Sequence, residues 1–347
     1  MPGEIFFFGG FALLIAFFLA LDLGVFNKKD HVVSFKEALS WTALWVSLAL
    51  GFFFFIRFNG NLLHGISNMD ELLAVVSKYE HVLTLSGDYA SDLKLYLNVL
   101  STEFITGYLL EYALSVDNIF VILLIFSAFG VQEKYYHKIL FWGILGAVVM
   151  RFIFIFLGAA LISEFAWILY VFGAFLIYSG VMMFIHRKKE EKVDTANHPV
   201  VKIASKFFSV SKEYKDSHFW FRENGKLIVT PLFLVLLVVE FSDLIFAVDS
   251  IPAIFGITKD PYVVFFSNIF AILGLRSMFF LLMNVMDKFH YLKSGLAILL
   301  VFIGAKMLAH HPLKELGFTT NHSLLIIALI LGLSVVLSLV IPKKETT

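Results

Sequence analysis

Five carboxylates stand inside two apolar runs: Glu111 and Asp117 in "TGYLLEYALSVDNIFV" (106–121), and Glu240, Asp243 and Asp249 in "VEFSDLIFAVDSIPAIFGIT" (239–258). Asp117 and Asp243 lie near the middle of stretches long enough to cross a bilayer, so the acids are expected at hydrocarbon depth. An isolated charge at the centre of a membrane helix costs about 2.5–3.5 kcal/mol on insertion scales. Five left alone would cost on the order of 12–18 kcal/mol, which rivals the whole stability of a domain. They must therefore be paired, protonated or bound to cations. The fixed bases within the apolar runs are Arg151, Arg276 and Lys306; with Asp22 near the end of the first run, six acids face three bases. One divalent cation and one proton would neutralise the excess, although burial can also neutralise an acid by raising its pKa.

The donor set narrows the ion. The chain has no cysteine, which closes thiolate chemistry and Cys-ligated metal sites. Carboxylates joined by the neutral oxygens of Asn118 and Ser250, each directly after an aspartate, suit Mn²⁺, Mg²⁺ or Ca²⁺. Histidines such as His64, His81, His137, His186, His310 and His311 fall in loops or at the ends of apolar runs and are read as solvated or interfacial. Glu240 and Asp243 are three residues apart and share a helix face, whereas Asp249, nine beyond Glu240, faces the other way on an unbroken helix. Pro252 lacks the N–H that would meet the Val248 carbonyl, so a break near 248–252 is expected to turn Asp249 inward. The rival reading is ion pairing that serves packing alone, with Arg151 and Arg276 each clamping an aspartate. Three bases cannot pair five acids, so Arg151, Arg276, Lys306 and Asp22 are assigned to charge balance or gating.

The elements that must position these residues are membrane helices. The chain has 347 residues, 59% hydrophobic and only 16% charged, with zero formal net charge. That much apolar surface needs the bilayer as solvent, and the neutral balance offers nothing to nucleic acid. Nine segments qualify as spans: 5–26, 35–56, 103–130, 139–162, 165–185, 228–256, 262–286, 291–309 and 323–341. The first has no basic residues before it and is read as a retained helix, not a cleaved signal. With the N-terminus outside and the C-terminus inside, nineteen Lys or Arg fall in inner segments and five in outer ones. That asymmetry favours this orientation in the membrane.

A repeat is visible within the spans. "LSVDN" (114–118) resembles "FAVDS" (246–250), and Glu111 precedes Asp117 by six residues as Asp243 precedes Asp249. "GILGAVVMR" (143–151) parallels "NIFAILGLR" (268–276), and "IYSGVMM" (177–183) parallels "VFIGAKM" (301–307). Each unit holds three spans, an odd number, so the two enter the membrane in opposite directions, as in transporters that bind substrate at the midplane between inverted repeats. The expected organisation is an all-α polytopic membrane protein with about nine transmembrane helices and two inverted three-helix repeats. Two N-terminal helices (1–56) lead to an acidic external loop (57–102) and the first repeat (103–185). A basic internal loop (186–227) leads to the second repeat (228–310), and a last helix and tail (311–347) follow. Both loops are read as solvated connectors, the basic one able to meet anionic lipid head groups. Gly158, Gly173, Gly180, Gly274 and Gly304 are read as points of close helix contact.

The two acidic segments, together with "WILYVFGAFLIYSGVMM" (167–183) and "NIFAILGLRSMFFLL" (268–282), resemble the TerC family of integral membrane proteins over nearly the whole chain. The Alx-type branch is the most similar. That resemblance implies export of Mn²⁺ as transported substrate, with no tightly bound cofactor and with Glu111, Asp117, Glu240, Asp243 and Asp249 as pathway acids, Asn118 and Ser250 following by position. Met182 stands where the second repeat has Lys306, which argues against a symmetric lysine pair. Proton exchange is expected because the same acids can titrate when the metal leaves. The alternatives are an exporter of a small organic cation or amino acid, and a membrane scaffold that helps to insert or metallate other proteins. An intramembrane aspartyl protease built on Asp117 and Asp249 is disfavoured, because no Gly-x-Gly-Asp segment precedes either; the protein is read as not an enzyme.

Overall fold

A computed structural model of the chain describes residues 7–18, 33–165, 167–186, 198–211, 215, 218–223, 226–283 and 291–341. Its apolar runs are helical because a segment in lipid must satisfy its own backbone donors and acceptors. In chain order the helices are α1 (Phe7–Phe18), α2 (Phe35–Asn59), α3 (Asn61–His64), α4 (Met69–Lys78), α5 (Tyr89–Ala128), α6 (Tyr136–Glu164), α7 (Ile168–His186), α8 (Pro199–Phe207), α9 (Pro231–Phe255), α10 (Pro261–Met283), α11 (Leu292–Leu308), α12 (His310–Glu315) and α13 (Thr320–Val340). Among the described residues seven are long and apolar enough to cross a membrane: α2, α5, α6 with its preceding turn, α7, α9, α10 and α13. The described part of α1 is a shorter apolar helix, and α11 has 17 residues. Among the described residues each of the nine apolar segments contains helix, and seven of these helices are long enough to span.

The helix α10 is the axis of the bundle. It is buried on every side and mostly apolar all round, as a helix with no solvent or lipid face is expected to be, and it packs on α2, α5 and α6. The trio α5–α6–α7 meets the trio α9–α10–α11 counterpart to counterpart: α5 on α9, α6 on α10 and α7 on α11. Small residues bring the last pair together. A Cβ added at Gly173 would lie 3.0 Å from the Gly304 carbonyl, and one at Gly180 only 2.7 Å from the Ala297 carbonyl. In lipid, where apolar burial gives little drive, such close backbone packing holds helices together.

The described parts of both long connectors contain regular structure, contrary to the expectation of solvated loops. Residues 57–102 include the end of α2, all of α3 and α4, and the first turns of α5, and Leu63, Ile66, Leu72, Tyr96 and Leu100 are each at most 2% exposed. Asn68 and Asp88 cap α4 and α5 by accepting from the backbone N–H groups of Glu71 (3.0 Å) and Ser91 (2.9 Å). At 40 residues α5 is about 60 Å long, twice the hydrocarbon thickness, so its first turns stand in this cap. At the opposite end α8 is followed by a three-stranded sheet. β1 (Ser209–Val210) runs parallel to β3 (Lys226–Val229), and β2 (Trp220–Glu223) runs antiparallel on the other edge of β3.

The expected break at Pro252 is absent: α9 continues through it to Phe255. The proline sits in the last turn, where one missing N–H costs a single carbonyl its partner and few turns remain to be kinked.

Candidate functional site

Arg151 of α6 is the centre of the charged cluster. Its side chain is fully buried, and one terminal nitrogen donates both to Glu111 Oε1 of α5 and to Asn268 Oδ1 of α10, the latter at 2.5 Å. The other terminal nitrogen reaches Asp243 Oδ1 of α9 at 3.4 Å. Asn268 is oriented by its own bond from Nδ2 to the Val264 carbonyl, 2.9 Å. Four helices therefore converge on one guanidinium. Two carboxylates share one base, and their second oxygens, Glu111 Oε2 and Asp243 Oδ2, are buried without a hydrogen-bond partner. A buried carboxylate oxygen left unpaired costs about 1–3 kcal/mol or more, so the arrangement holds an unmet demand for positive charge.

The other acids stand apart, and helix geometry gives the reason. Six residues on a helix turn about 600°, which leaves Asp117 roughly 120° from Glu111 and Asp249 roughly 120° from Asp243. Each second acid turns to the third helix of the other trio. Asp117 Oδ1 lies 3.8 Å from Lys293 Nζ of α11, and Asp249 Oδ1 accepts from Ser179 Oγ of α7 at 2.9 Å. Glu240, three residues before Asp243, faces α6 as well; its carboxyl lies so near Gly146 that a Cβ there would overlap it. Asn118 and Ser250 are buried, and Ser250 Oγ lacks a partner. Because α9 is unbroken, Asp249 is not swung toward Glu240.

The five acids thus do not share one hollow. Glu111 and Asp243 are brought together, Glu240 is their neighbour along α6, and Asp117 and Asp249 flank them on separate helices. No group of three His, Cys, Asp or Glu side chains among the described residues is placed to hold a metal ion in this conformation. Arg276 is buried in a different recess beside Trp41, Trp45, His137 and Ser277. Lys306 lines a cavity of about 90 Å³ at the end where α5 begins, near Glu103 and Thr258. Asp22 lies outside the described residues.

Three groups escaped the sequence reading. Asn268 is a lone amide in an apolar run, and nothing local names its partner. Ser179 carried no signal. The third group corrects the reading of His64 and His81, whose side chains are at most 1% exposed. His64 Nε2 meets Asp260 Oδ2 at 2.8 Å, His81 Nδ1 meets Glu103 at 3.2 Å, and Thr258 Oγ1 donates to Glu103 Oε2 at 2.7 Å. Burial alone would lower the His81 pKa, but the charges of Glu103 and Asp260 outweigh it and hold the imidazole above its ordinary value. Burial would likewise raise Asp260, and the facing His64, with help from His81 and the Tyr262 N–H, holds it below the usual carboxylate range. These contacts join residues as far as 196 positions apart, so no local pattern announced them.

Comparison with known proteins agrees with this architecture. The model of the "Integral membrane protein TerC family" matches residues 98–346. A Myxococcus xanthus protein described as an uncharacterized membrane protein is 44% identical over 338 residues, which cover 97% of this chain and 93% of that protein. An Escherichia coli K12 protein named "Putative membrane-bound redox modulator Alx" is 42% identical over 301 residues, 86% of this chain and 84% of that protein. A Photorhabdus laumondii protein of the same name is 39% identical over 348 residues, covering 98% and 96%. No solved structure matches. This is a polytopic helical membrane protein with a charged core. It belongs to the integral membrane protein TerC family.

Proposed function

We propose that this protein exports a divalent cation, Mn²⁺ foremost, across the cytoplasmic membrane. The observation that carries the proposal is the pair Glu111 and Asp243: two counterpart carboxylates share Arg151 at bilayer depth, and each keeps one buried oxygen unpartnered. In the present conformation the guanidinium stands where a travelling cation would stand. Rocking one trio against the other draws Arg151 aside. The two carboxylates, Asn268 and the nearby Glu240 then replace part of the ion's hydration shell, a hard-oxygen set suited to Mn²⁺. Asp117 and Asp249, displaced to either side, serve as approach and departure points. Nineteen Lys or Arg in the segments assigned to the cytoplasm, against five outside, support an N-terminus outside and a C-terminus inside. Protons move the opposite way, because each acid that gives up the metal is left to titrate. The relatives' name speaks of redox modulation; with no cysteine in the chain, a thiol–disulfide route to such a role is closed here.

Radiolabelled Mn²⁺ uptake into inverted membrane vesicles tests the proposal. Uptake is expected from the wild type and loss from Glu111→Gln and Asp243→Asn, with protein amount and melting behaviour followed alongside. If vesicles holding folded wild type take up no more Mn²⁺ than empty ones, the export reading is wrong. An imposed pH gradient that leaves the uptake rate unchanged removes the proton exchange.

A further inference from the structure

A buried network closes the end of the bundle where α5 begins, and none of its members serves the ion site proposed above. It draws on four pieces of chain: His64 from α3, His81 from the stretch before α5, Glu103 from α5, and Thr258 with Asp260 from the link between α9 and α10. Glu103 Oε2 accepts from Thr258 Oγ1 at 2.7 Å, and the Asp260 N–H donates to that same hydroxyl at 3.2 Å. Asp260 Oδ1 also accepts from the Tyr262 N–H at 2.9 Å. These bonds tie the first trio to the second. If the trios rock, this end opens only when the α9–α10 link leaves α5.

One contact in the network is incomplete. His81 spends Nδ1 on Glu103, and its Nε2 points toward Asp260 Oδ2 at 4.0 Å with no hydrogen-bond partner. A neutral imidazole with its proton on Nδ1 presents a lone pair there, opposed to a carboxylate oxygen. A protonated one presents an N–H⁺ to the same oxygen. The surroundings favour the second form. Glu103 and Asp260 are two buried carboxylates, and among the described residues the imidazoles against them are His64 and His81. Tyr96 and Tyr79 contribute neutral rings, 5.4 and 6.2 Å from the His81 ring. Lys306 approaches from α11 on the Glu103 side, and the Lys259–Glu80 pair closes the rim at 2.5 Å. A cavity of about 90 Å³ lined by Glu103, Thr258 and Lys306 borders the network on this side.

We propose that His81 is a proton-binding site that latches this end of the protein: with a proton on Nε2 the imidazolium bridges Glu103 to Asp260 and holds the α9–α10 link on α5, and loss of the proton frees the link to move. No atom other than the proton is exchanged; it leaves Nε2 for solvent when the link moves away from α5. The proposal rests on the reading that this end opens during transport, but not on the identity of the ion carried. Linkage sets the size of the effect. A proton bound about tenfold more tightly in the closed state shifts the closed–open balance about tenfold as the pH crosses the titration.

The absence of cysteine makes the test direct. Met307 lines the cavity and lies against Gly256, so its exposure follows the α9–α10 link. Met307→Cys in the full chain, reconstituted in liposomes, is labelled with a small membrane-impermeant methanethiosulfonate from pH 5.5 to 8.5. Its rate is divided by that of Ser91→Cys, an exposed position at the same end, which removes the reagent's own pH dependence, and the same ratio in His81→Gln carries the ionisation of the buried thiol. The ratio is expected to rise severalfold with pH in the otherwise unchanged protein and to keep only the thiol's share of that dependence in His81→Gln. In Glu103→Gln, which removes one of the two charges holding the proton, the midpoint moves to lower pH. Leu313→Cys, on the same cavity wall, repeats the measurement. A ratio flat across the range, or an unaltered profile in His81→Gln, overturns the latch. Neither result bears on Mn²⁺ uptake, which is measured separately.

Discussion

Glu111 and Asp243, on helices drawn from opposite halves of the chain, end on the same side chain: Arg151 donates to both while completing neither. A guanidinium shared by two buried carboxylates leaves a net negative charge in the core, and it makes Arg151 at once a structural tie and an obstacle to any passing cation.

Removing that base should damage the fold before it damages anything else. Arg151→Met leaves two buried acids without a counter-charge, and breaking a buried pair from one side costs about 3–5 kcal/mol. Thermal unfolding in detergent is expected to show a large drop, with Glu111→Gln in the same chain recovering part of it. A variant as stable as the wild type would contradict the shared pairing.

Gly146→Ala is predicted to displace the Glu240 carboxyl. A Cβ there would overlap that carboxyl, which supplies its three nearest atoms; the flexible Glu240 side chain can turn aside, so the cost is expected at the low end of overpacking, about 1 kcal/mol. Gly146→Ala should therefore lower the melting temperature, and Gly146→Ala with Glu240→Ala should restore much of it. Additive losses in the double variant would show that the two sites do not touch.

The seam between α7 and α11 offers a sharper steric test. Gly180→Val pushes side-chain atoms onto the Ala297 carbonyl and Val301, where even a Cβ stands at 2.7–3.0 Å. The helices must separate, so a destabilisation of about 1–3 kcal/mol or more is expected. Gly332→Val, on α13 with nothing within 4 Å of an added Cβ, should be close to neutral.

Stability should depend on pH through the buried histidine network. His81 is held above its ordinary value near 6.5, so its contribution is fully present below that value and fades as pH rises through the raised one. Asp260 is held below its ordinary range near 3.9, so its contribution is present above that range and fades as pH falls through the lowered value. Melting temperature should be highest between the two limits. His81→Gln should flatten the alkaline side, and Asp260→Asn the acid side. An unchanged alkaline slope in His81→Gln would remove His81 from the account.

Helix positions and the presence of a charged core were legible in the sequence because both are local. Twenty apolar residues in a row are a helix in lipid wherever they pack, and Glu111, Asp117, Glu240, Asp243 and Asp249 are costly there wherever they point. Even the split of the acids follows from a six-residue spacing read as rotation, once α9 is known to pass through Pro252 unbroken. The folded connectors were harder. Leu63, Ile66 and Leu72 sit in a stretch polar enough to pass for a solvated loop, and their burial depends on the first turns of α5 standing beyond the membrane to receive them.

By itself, then, the sequence established a polytopic helical membrane protein whose buried acids exceed its buried bases, because hydropathy and charge are summed along the chain. Only the tertiary structure decided which acid meets which base. Arg151 could have faced any of five carboxylates; packing turned it to Glu111, 40 residues away, and Asp243, 92 residues away. Packing also recruited Asn268 to that cluster and gathered His64, His81, Glu103 and Asp260 at one end. Contacts of this kind depend on rotation and depth of whole helices against each other, which no short window of residues encodes.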